Sequence, residues 1–218
     1  MNKVITIDEA IDKIQDGMTI MVGGFLGCGN PIRLVDKLVE KGTKNLTLIC
    51  NDSSFPDYGV GKLIVNKQIK KLIASHVGTN PETGRQMNEG EMEVVLVPQG
   101  TLAEQVRAGG SGLGGFLTPT GVGTVVEEGK QKIEIDGVEY LLELPLKADV
   151  ALIAGQTADK FGNIEYFGAT RNFNQLMATA ADLVIAEVEE IVEVGDLDPN
   201  QVVTPGIFVT HLVDGGAK

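Results

Sequence analysis

The sequence predicts an α/β domain with a largely parallel sheet flanked by helices. Short runs of Val, Ile and Leu alternate with helical patterns along the chain, which is typical of strands joined by helical crossovers. The apolar fraction is 43% over 218 residues, which is enough to bury one complete core. No linker-like or low-complexity segment divides the chain, and we therefore expect a single domain over residues 1–218.

The individual elements follow from apolar spacing and from signals at their ends. Thr6 is a plausible N-cap for a first helix, because three isoleucines follow it at helical spacing. Helices are also predicted over residues 31–41 and 102–108, which end at Gly42 and at Gly109-Gly110. The apolar runs predict strands over residues 19–22, 46–50, 69–75, 94–97, 148–154 and 183–186.

Residues 125–145 do not follow this alternation of strands and helices. Two apolar runs, at 132–135 and 140–144, flank the dipeptide Asp136-Gly137, which is a strong hairpin signal in that position. We therefore expect a β-hairpin excursion from the α/β core. It could brace a subunit contact, cover a binding site or decorate the surface.

Charge and cysteine content exclude several classes of protein. The net charge is −12, with 18 Lys and Arg against 30 Asp and Glu, so a nucleic-acid partner that needs a basic face is not expected. Two cysteines are too few for a disulfide framework. The sequence contains neither an apolar signal core nor a run of about 18 apolar residues. We therefore expect a cytoplasmic protein with no membrane association.

A glycine turn at residues 23–29 follows the first predicted strand within the stretch DGMTIMVGGFLGCGNP. Asn30 is suited to cap the helix that comes next, and Pro31 is suited to its first position. A strand, a glycine turn and a helix start in this order present backbone N–H groups and the positive end of a helix dipole to an anion. The turn therefore predicts a site for a phosphate, a carboxylate or a cofactor; the alternative is a tight connection without a ligand.

Two amide side chains follow other predicted strands. Gln99 comes after the strand at 94–97, where its amide could donate a hydrogen bond to a thioester carbonyl and stabilise a developing oxyanion. Its alternative role is helix capping or solvation at the surface. Asn51 comes after the second strand, and its alternative role is an Asx turn with Asp52. Ligands of such sheets bind at the carboxyl ends of strands, where both amides lie.

The remaining polar residues give weaker signals. His76 and His211 lie far apart and lack Cys or carboxylate partners at ligand spacing, so no metal site is predicted. Arg107 and Arg171 could contact phosphate, although such residues are more often solvated or paired. The string Gly-x-Gly-x-x-Gly at 110–115 matches a dinucleotide fingerprint, but a predicted helix precedes it and no helix follows. No Gly-x-Ser-x-Gly elbow of a serine hydrolase occurs.

The pattern Asp-Gly-x-x-(three apolar)-Gly-Gly-Phe-x-x-x-Gly-x-Pro at residues 16–31 resembles the first signature of family I coenzyme A transferases. That signature belongs to their α subunit or to the N-terminal half of their fused forms. Further blocks at 51–52, 74–80, 95–101 and 116–124 extend the resemblance over nearly the whole chain. These blocks look like α subunits that handle acetate, butyrate and acetoacetate.

The resemblance implies a fold shared with ribose-phosphate isomerases and glucosamine-phosphate deaminases. It implies reversible transfer of coenzyme A (CoA) between a short-chain acyl-CoA and a free carboxylate, with ping-pong kinetics. In this family the nucleophile is a glutamate in a Ser-Glu-Asn-Gly block of the β subunit, and this chain lacks that block. The resemblance therefore implies half an active site, completed by a β subunit in an α2β2 assembly.

The same resemblance implies roles for individual residues. Gln99 lies by the acyl thioester and Asn51 by the reacting carboxyl group, both as supporting catalytic residues. The stretch that faces CoA or the acyl group is expected to consist of Gly24, Phe25, Leu26, Gly27, Cys28, Gly29 and Asn30. No metal or redox cofactor is implied, since CoA is the group carried.

Other functions stay open at this point. The chain could be a module that binds an acyl-CoA or a sugar phosphate without chemistry, or an α subunit that acts on 3-oxoadipate or succinate. An isomerase or deaminase of the same fold would need its own acid and base, and none is convincingly placed. If the chain carried its own nucleophile, Glu89 or Glu104 would be the candidates.

Overall fold

The computed structural model describes residues 2–216. Its strands, numbered along the chain, are β1 (Thr19–Val22), β2 (Leu46–Ile49), β3 (Ile69–Ala74), β4 (Glu93–Leu96), β5 (Phe116–Thr118), β6 (Lys132–Ile135), β7 (Val138–Glu143), β8 (Ala148–Asp159), β9 (Ile164–Glu165), β10 (Ala181–Val192) and β11 (His211–Asp214). The main sheet has the order β11-β10-β8-β1-β2-β3-β4, with all these neighbours parallel and β9 antiparallel to β8. The largely parallel α/β sheet is confirmed.

Helices cover both faces of this sheet. They are α1 (Ile7–Asp12), α2 (Ile32–Lys41), α3 (Gly61–Val65), α4 (Pro81–Asn88), α5 (Gln99–Gly110) and α6 (Asn174–Met177). Successive strand residues point to opposite faces, so Ile20 and Val22 join the core under α1, α2 and α3, whereas Met21 joins the core under α5 and α6. Thr6 caps α1, as predicted, and Glu9 completes a capping box with it.

A second, three-stranded antiparallel sheet has the order β5-β7-β6. Asp136 and Gly137 join β6 to β7 with φ angles of 52° and 76°, as a two-residue hairpin turn of type I′ requires. The hairpin predicted near 125–145 is confirmed. Two details differ from that prediction, because β5 adds a third strand and Val125–Glu127 is a short 3-10 helix.

The predicted helix end at Gly109-Gly110 is confirmed, since α5 includes both glycines and ends at Gly110. A Cβ atom at Gly109 would lie 2.0 Å from the carbonyl oxygen of Leu146, and one at Gly110 would lie 2.0 Å from Thr179 Oγ1. The two glycines thus also permit close packing of the last turn. The glycine string that follows leads from α5 to β5, so it does not have the strand-to-helix context of a dinucleotide site.

Several elements differ from the sequence-based expectation. β8 and β10 extend to Asp159 and Val192, beyond the apolar runs that indicated them, because their outer halves pair with each other. The helices α3, α4 and α6 and the strands β9 and β11 were not predicted. α4 has recognisable end signals, since Asn80 caps it and Pro81 occupies its first turn. Within residues 2–216, no helix combines the length and apolar character needed to cross a bilayer.

Candidate active site

The strands β1, β2, β3 and β4 are adjacent and parallel, so they end at one edge of the sheet. Beyond these ends lies a cavity of about 530 Å³, which we call the cleft. It is lined by residues that follow each of the four strands, namely Phe25, Leu26, Asn51, Asp52, Ser75, His76 and Gln99. Four of the predicted site residues are thereby brought together, which are Phe25, Leu26, Asn51 and Gln99.

The side chain of Asp52 organises the floor of the cleft. It is 4% exposed, and its carboxylate accepts three hydrogen bonds, each 2.8 Å long. The donors are the backbone N–H groups of Leu26 and Ser54 and the Asn51 side-chain amide. Charged acceptors make the stronger class of hydrogen bond, so Asp52 ties the glycine turn to the end of β2. The bond to Ser54 is an Asx turn made by the side chain of Asp52, whereas the alternative role predicted for Asn51 was such a turn.

Leu26 has an unusual backbone conformation at the tip of the glycine turn. Its φ is 47°, in the left-handed region where a side chain with a Cβ costs about 1–2 kcal/mol. The hydrogen bond from its N–H group to Asp52 helps to hold this conformation. Phe25 and Leu26 remain 43% and 40% exposed, so the turn places an apolar rim on the cleft.

The Asn51 side chain is fixed at the end of β2. It is 2% exposed; its Nδ2 donates to Asp52 and its Oδ1 accepts from the Ser75 hydroxyl at 3.2 Å. Ser75 also donates its backbone N–H and its hydroxyl to the Asn51 carbonyl, at 2.8 and 2.7 Å. An amide nitrogen carries two hydrogens, so one donor of Asn51 is left for a ligand. Ser75 lies at the end of the predicted strand 69–75, but its contact with Asn51 could not be predicted, because it depends on the pairing of β2 with β3.

Gln99 is the first residue of α5 and is exposed at the cleft. The N-cap position is Pro98, and no side chain caps this helix. The alternative role of Gln99 as a helix cap is therefore wrong. Its side-chain amide makes no hydrogen bond to any other part of the chain that the structure describes, so it can reach a bound molecule.

Comparison with known proteins places this geometry in a family. Residues 4–215 match the family model described as Coenzyme A transferase. The chain belongs to the coenzyme A transferase family. It is 59% identical over 211 residues to the acetate CoA-transferase subunit alpha of Escherichia coli K12, with 97% of this chain and 96% of that one covered. It is 54% identical to the acetoacetyl-CoA:acetate/butyrate CoA transferase alpha subunit of Clostridium acetobutylicum, with 97% of each covered.

A solved structure shows the same fold. The apoenzyme of the acyl-CoA transferase of Escherichia coli O157:H7 superimposes with a TM-score of 0.88 at 24% identity. The match covers 98% of this chain and 47% of that chain, so the chain corresponds to about half of it. The resemblance to CoA-transferase α subunits and the expected fold class are confirmed.

In this CoA transferase, Asn30 does not cap α2, as the sequence predicted. The helix begins at Ile32, Pro31 occupies the N-cap position, and no side chain of these two residues caps it. The Asn30 amide instead donates back to the carbonyl of Gly23 and closes the glycine turn. A Cβ atom at Gly24 would lie 1.8 Å from Asn30 Nδ2, which explains the glycine at that position.

The N-terminus of α2 is occupied by a carboxylate of the chain itself. Glu187, on β10, accepts a hydrogen bond of 2.8 Å from the backbone N–H of Leu34. Burial raises the pKa of Glu187, and the helix N–H groups oppose that shift. The prediction that this helix end offers its N–H groups to a bound anion is therefore wrong, because an internal anion already occupies the position.

The rest of the glycine turn faces a second cavity of about 600 Å³ on the other side of β1. Gly27, Gly29 and Asn30 line it together with parts of β8 and β10. The turn is thus a wall shared by the cleft and the second cavity. The predicted stretch 24–30 does not face one ligand as a unit, because only Phe25 and Leu26 line the cleft.

A similar turn follows β2. The backbone N–H and C=O of Phe25 bond to those of Cys28 in the glycine turn, and Phe55 and Tyr58 form the corresponding bridge in the second turn. The two turns interlock, since a Cβ atom at Gly27 would lie 2.4 Å from Tyr58 Cε1. Phe55 and Tyr58 are 42% and 41% exposed, and Tyr58 lines the second cavity.

Other candidates lie away from the cleft. His211 is on β11, at the opposite edge of the sheet from β4. Arg107 pairs with Glu104 at 2.7 Å within α5, and Glu89 pairs with Arg85 beside α4. Both glutamates that could have served as a nucleophile are thus engaged in surface ion pairs.

Proposed function

We propose that this chain is the α subunit of an enzyme that moves CoA between a short-chain acyl-CoA and a free carboxylate. The acids proposed are acetate, butyrate and acetoacetate, the class named for the two similar α subunits described above. A β subunit supplies the nucleophilic glutamate, and two copies of each chain form an α2β2 enzyme.

One observation carries this proposal. The cleft collects amide donors and an apolar rim, but its lining contains no carboxylate that is free to attack a thioester. Asp52 is the one carboxylate among the lining residues, and both of its oxygens accept hydrogen bonds from the chain. A site with donors for an acyl oxygen and no nucleophile suits half of a shared active site.

The chemistry assigns a step to each group. A carboxylate oxygen of the β-subunit glutamate attacks the thioester carbonyl, the C–S bond breaks, and a mixed anhydride and the CoA thiolate form. The thiolate then attacks the glutamyl carbonyl of the anhydride, which gives glutamyl-CoA and releases the first acid. The second acid then attacks glutamyl-CoA, and the same steps in reverse give the new acyl-CoA and restore the free glutamate. Gln99 donates to the oxyanion that develops on the acyl carbonyl, and Asn51 supports the reacting carboxyl group.

The cleft favours monocarboxylic acids. None of its lining residues is Lys or Arg, whereas the distal carboxylate of succinate or 3-oxoadipate would need a cation or several donors on burial. Phe25 and Leu26 instead suit a short alkyl chain. The backbone N–H group of Gly24, next to Phe25, makes no hydrogen bond within residues 2–216, and we assign it to CoA.

The test is acetoacetyl-CoA consumption with acetate, measured with this chain alone and then co-expressed with the protein encoded beside it. We expect activity with the partner only, and a glutamyl-CoA adduct that mass spectrometry maps to the partner. Activity of the lone chain would contradict the shared site and direct attention to Glu89 or Glu104. A stable complex that is inactive with every short-chain acid would instead favour a dicarboxylate transferase or a binding module.

A further inference from the structure

His76 is the only histidine among the residues that line the cleft. Neither the sequence motifs nor the comparisons assign a role to it. It follows β3 and is exposed, and its backbone is fixed because its carbonyl accepts a 3.1 Å hydrogen bond from the N–H of Ser53. Its imidazole makes no hydrogen bond to the chain between residues 2 and 216. The ring therefore has an unused N–H donor at the site.

The ring lies beside a glycine. A Cβ atom at Gly78 would lie 3.1 Å from His76 Cε1 and 3.3 Å from Nε2, so the imidazole packs over a position that has no side chain. A Cβ atom there would be unusually close, and an alanine at Gly78 would shift the ring by a few tenths of an ångström. Gly78 therefore leaves room for the imidazole in its position at the cleft.

Besides the remaining N–H of Asn51, two side chains of the cleft have unused donors. Asn51, Asp52 and Ser75 are bound to one another, whereas the side chains of Gln99 and His76 are free. These two follow β4 and β3, which are adjacent parallel strands, and both side chains line the cleft. Two free donors on one cleft suit a short ligand that carries two oxygens.

We propose that His76 donates a hydrogen bond to the second oxygen of a 3-oxoacyl group, while Gln99 serves the reacting carbonyl. His76 thereby makes the site prefer a 3-oxoacyl-CoA over an alkanoyl-CoA of the same length. This inference rests on the proposed function, since it assigns the acyl group of that reaction. The N–H of an imidazole can donate to a neutral keto oxygen. An alkanoyl group has no such oxygen and leaves the N–H of His76 without a partner, which disfavours that substrate.

Two four-carbon substrates test the assignment. The values of kcat/KM for acetoacetyl-CoA and butyryl-CoA are measured with acetate as the acceptor, using the assembled complex. We expect His76→Phe to lower the ratio of the two values about 10-fold, the worth of one hydrogen bond. His76→Gln keeps an N–H donor and retains most of the preference. Gly78→Ala lowers the ratio without changing the ring itself.

His211→Phe is the matched control, because it removes the other histidine at the far edge of the sheet and leaves the ratio unchanged. An unchanged ratio in both His76→Phe and Gly78→Ala would overturn the inference and leave the proposed function intact. An equal loss for both substrates would also overturn it, since a structural role lowers both alike. If the unaltered complex transferred CoA from neither substrate, the proposed function itself would be wrong.

Discussion

Replacing Asp52 with Asn tests whether one buried carboxylate holds the cleft together. The carboxylate accepts two hydrogen bonds on Oδ2, from the Leu26 N–H and the Asn51 amide, and one on Oδ1, from the Ser54 N–H. An asparagine has one oxygen and one NH₂ group at these positions. In its better orientation it keeps the two bonds on the Oδ2 side and turns a donor toward Ser54.

The magnitude follows from that count. Asp52→Asn loses one hydrogen bond to a charged group and leaves the N–H of Ser54 unpaired, in a residue that is 0% exposed. Such a loss costs about 1.5–3 kcal/mol, so we expect a decrease of about 2 kcal/mol in the free energy of unfolding. For a chain of this size, that decrease lowers Tm by about 4–8 °C.

The assay is urea unfolding and thermal unfolding of the purified chain, followed by circular dichroism. Asp149→Asn is the matched control, because Asp149 is exposed and accepts one backbone bond, from the N–H of Thr19, which the asparagine oxygen can still accept. We expect the control to change the free energy of unfolding by less than about 0.5 kcal/mol. If both variants were as stable as the parent, the role assigned to Asp52 would be wrong.

Three further outcomes follow from single side chains. Gln99→Ala in the assembled complex lowers the transfer rate about 100- to 1,000-fold, the usual effect of losing an oxyanion donor, and a full rate would exclude that role. A thiol reagent modifies the exposed Cys28 in the native protein, whereas Cys50 reacts only on unfolding, because burial raises the pKa of its thiol and excludes the reagent; equal rates would contradict this. Burial raises the pKa of Tyr166 to about 12, so its phenol stabilises the fold below pH 10 and that contribution is lost as the pH rises through 12. In an absorbance titration, the ionisation that is lost in Tyr166→Phe falls near pH 12 in the parent, and a loss near pH 10 would refute the assignment.

The layout of the site could be predicted from the sequence because it depends on strands. Apolar runs indicate buried strands, and parallel neighbours end at one edge, so residues just beyond those runs converge. Asn51 and Gln99 were identified in this way, and the structure places both at the cleft. The glycine turn was recognised for the same reason, since its residues follow β1 directly.

What could not be predicted depends on contacts between distant parts of the chain. The N-cap rule at Asn30 considers only neighbouring residues, whereas the group at that helix end is Glu187, 153 positions from its partner Leu34. Gly109 is typical of a helix end, but its local sequence does not show that its missing side chain also lets α5 pack against Leu146. His76 follows the predicted strand 69–75, but the sequence did not show that its ring would lie in the same cleft as Gln99, which depends on the pairing of β3 with β4.

The glycine turn is a partition between two compartments, and this has a thermodynamic consequence. Leu26 faces the cleft, while the next residue, Gly27, touches Tyr58 in the second cavity. If a molecule in the second cavity moved this wall, it would change the affinity of the cleft for its own ligand. By linkage, the ligand of the cleft would then change the affinity of the second cavity by the same factor.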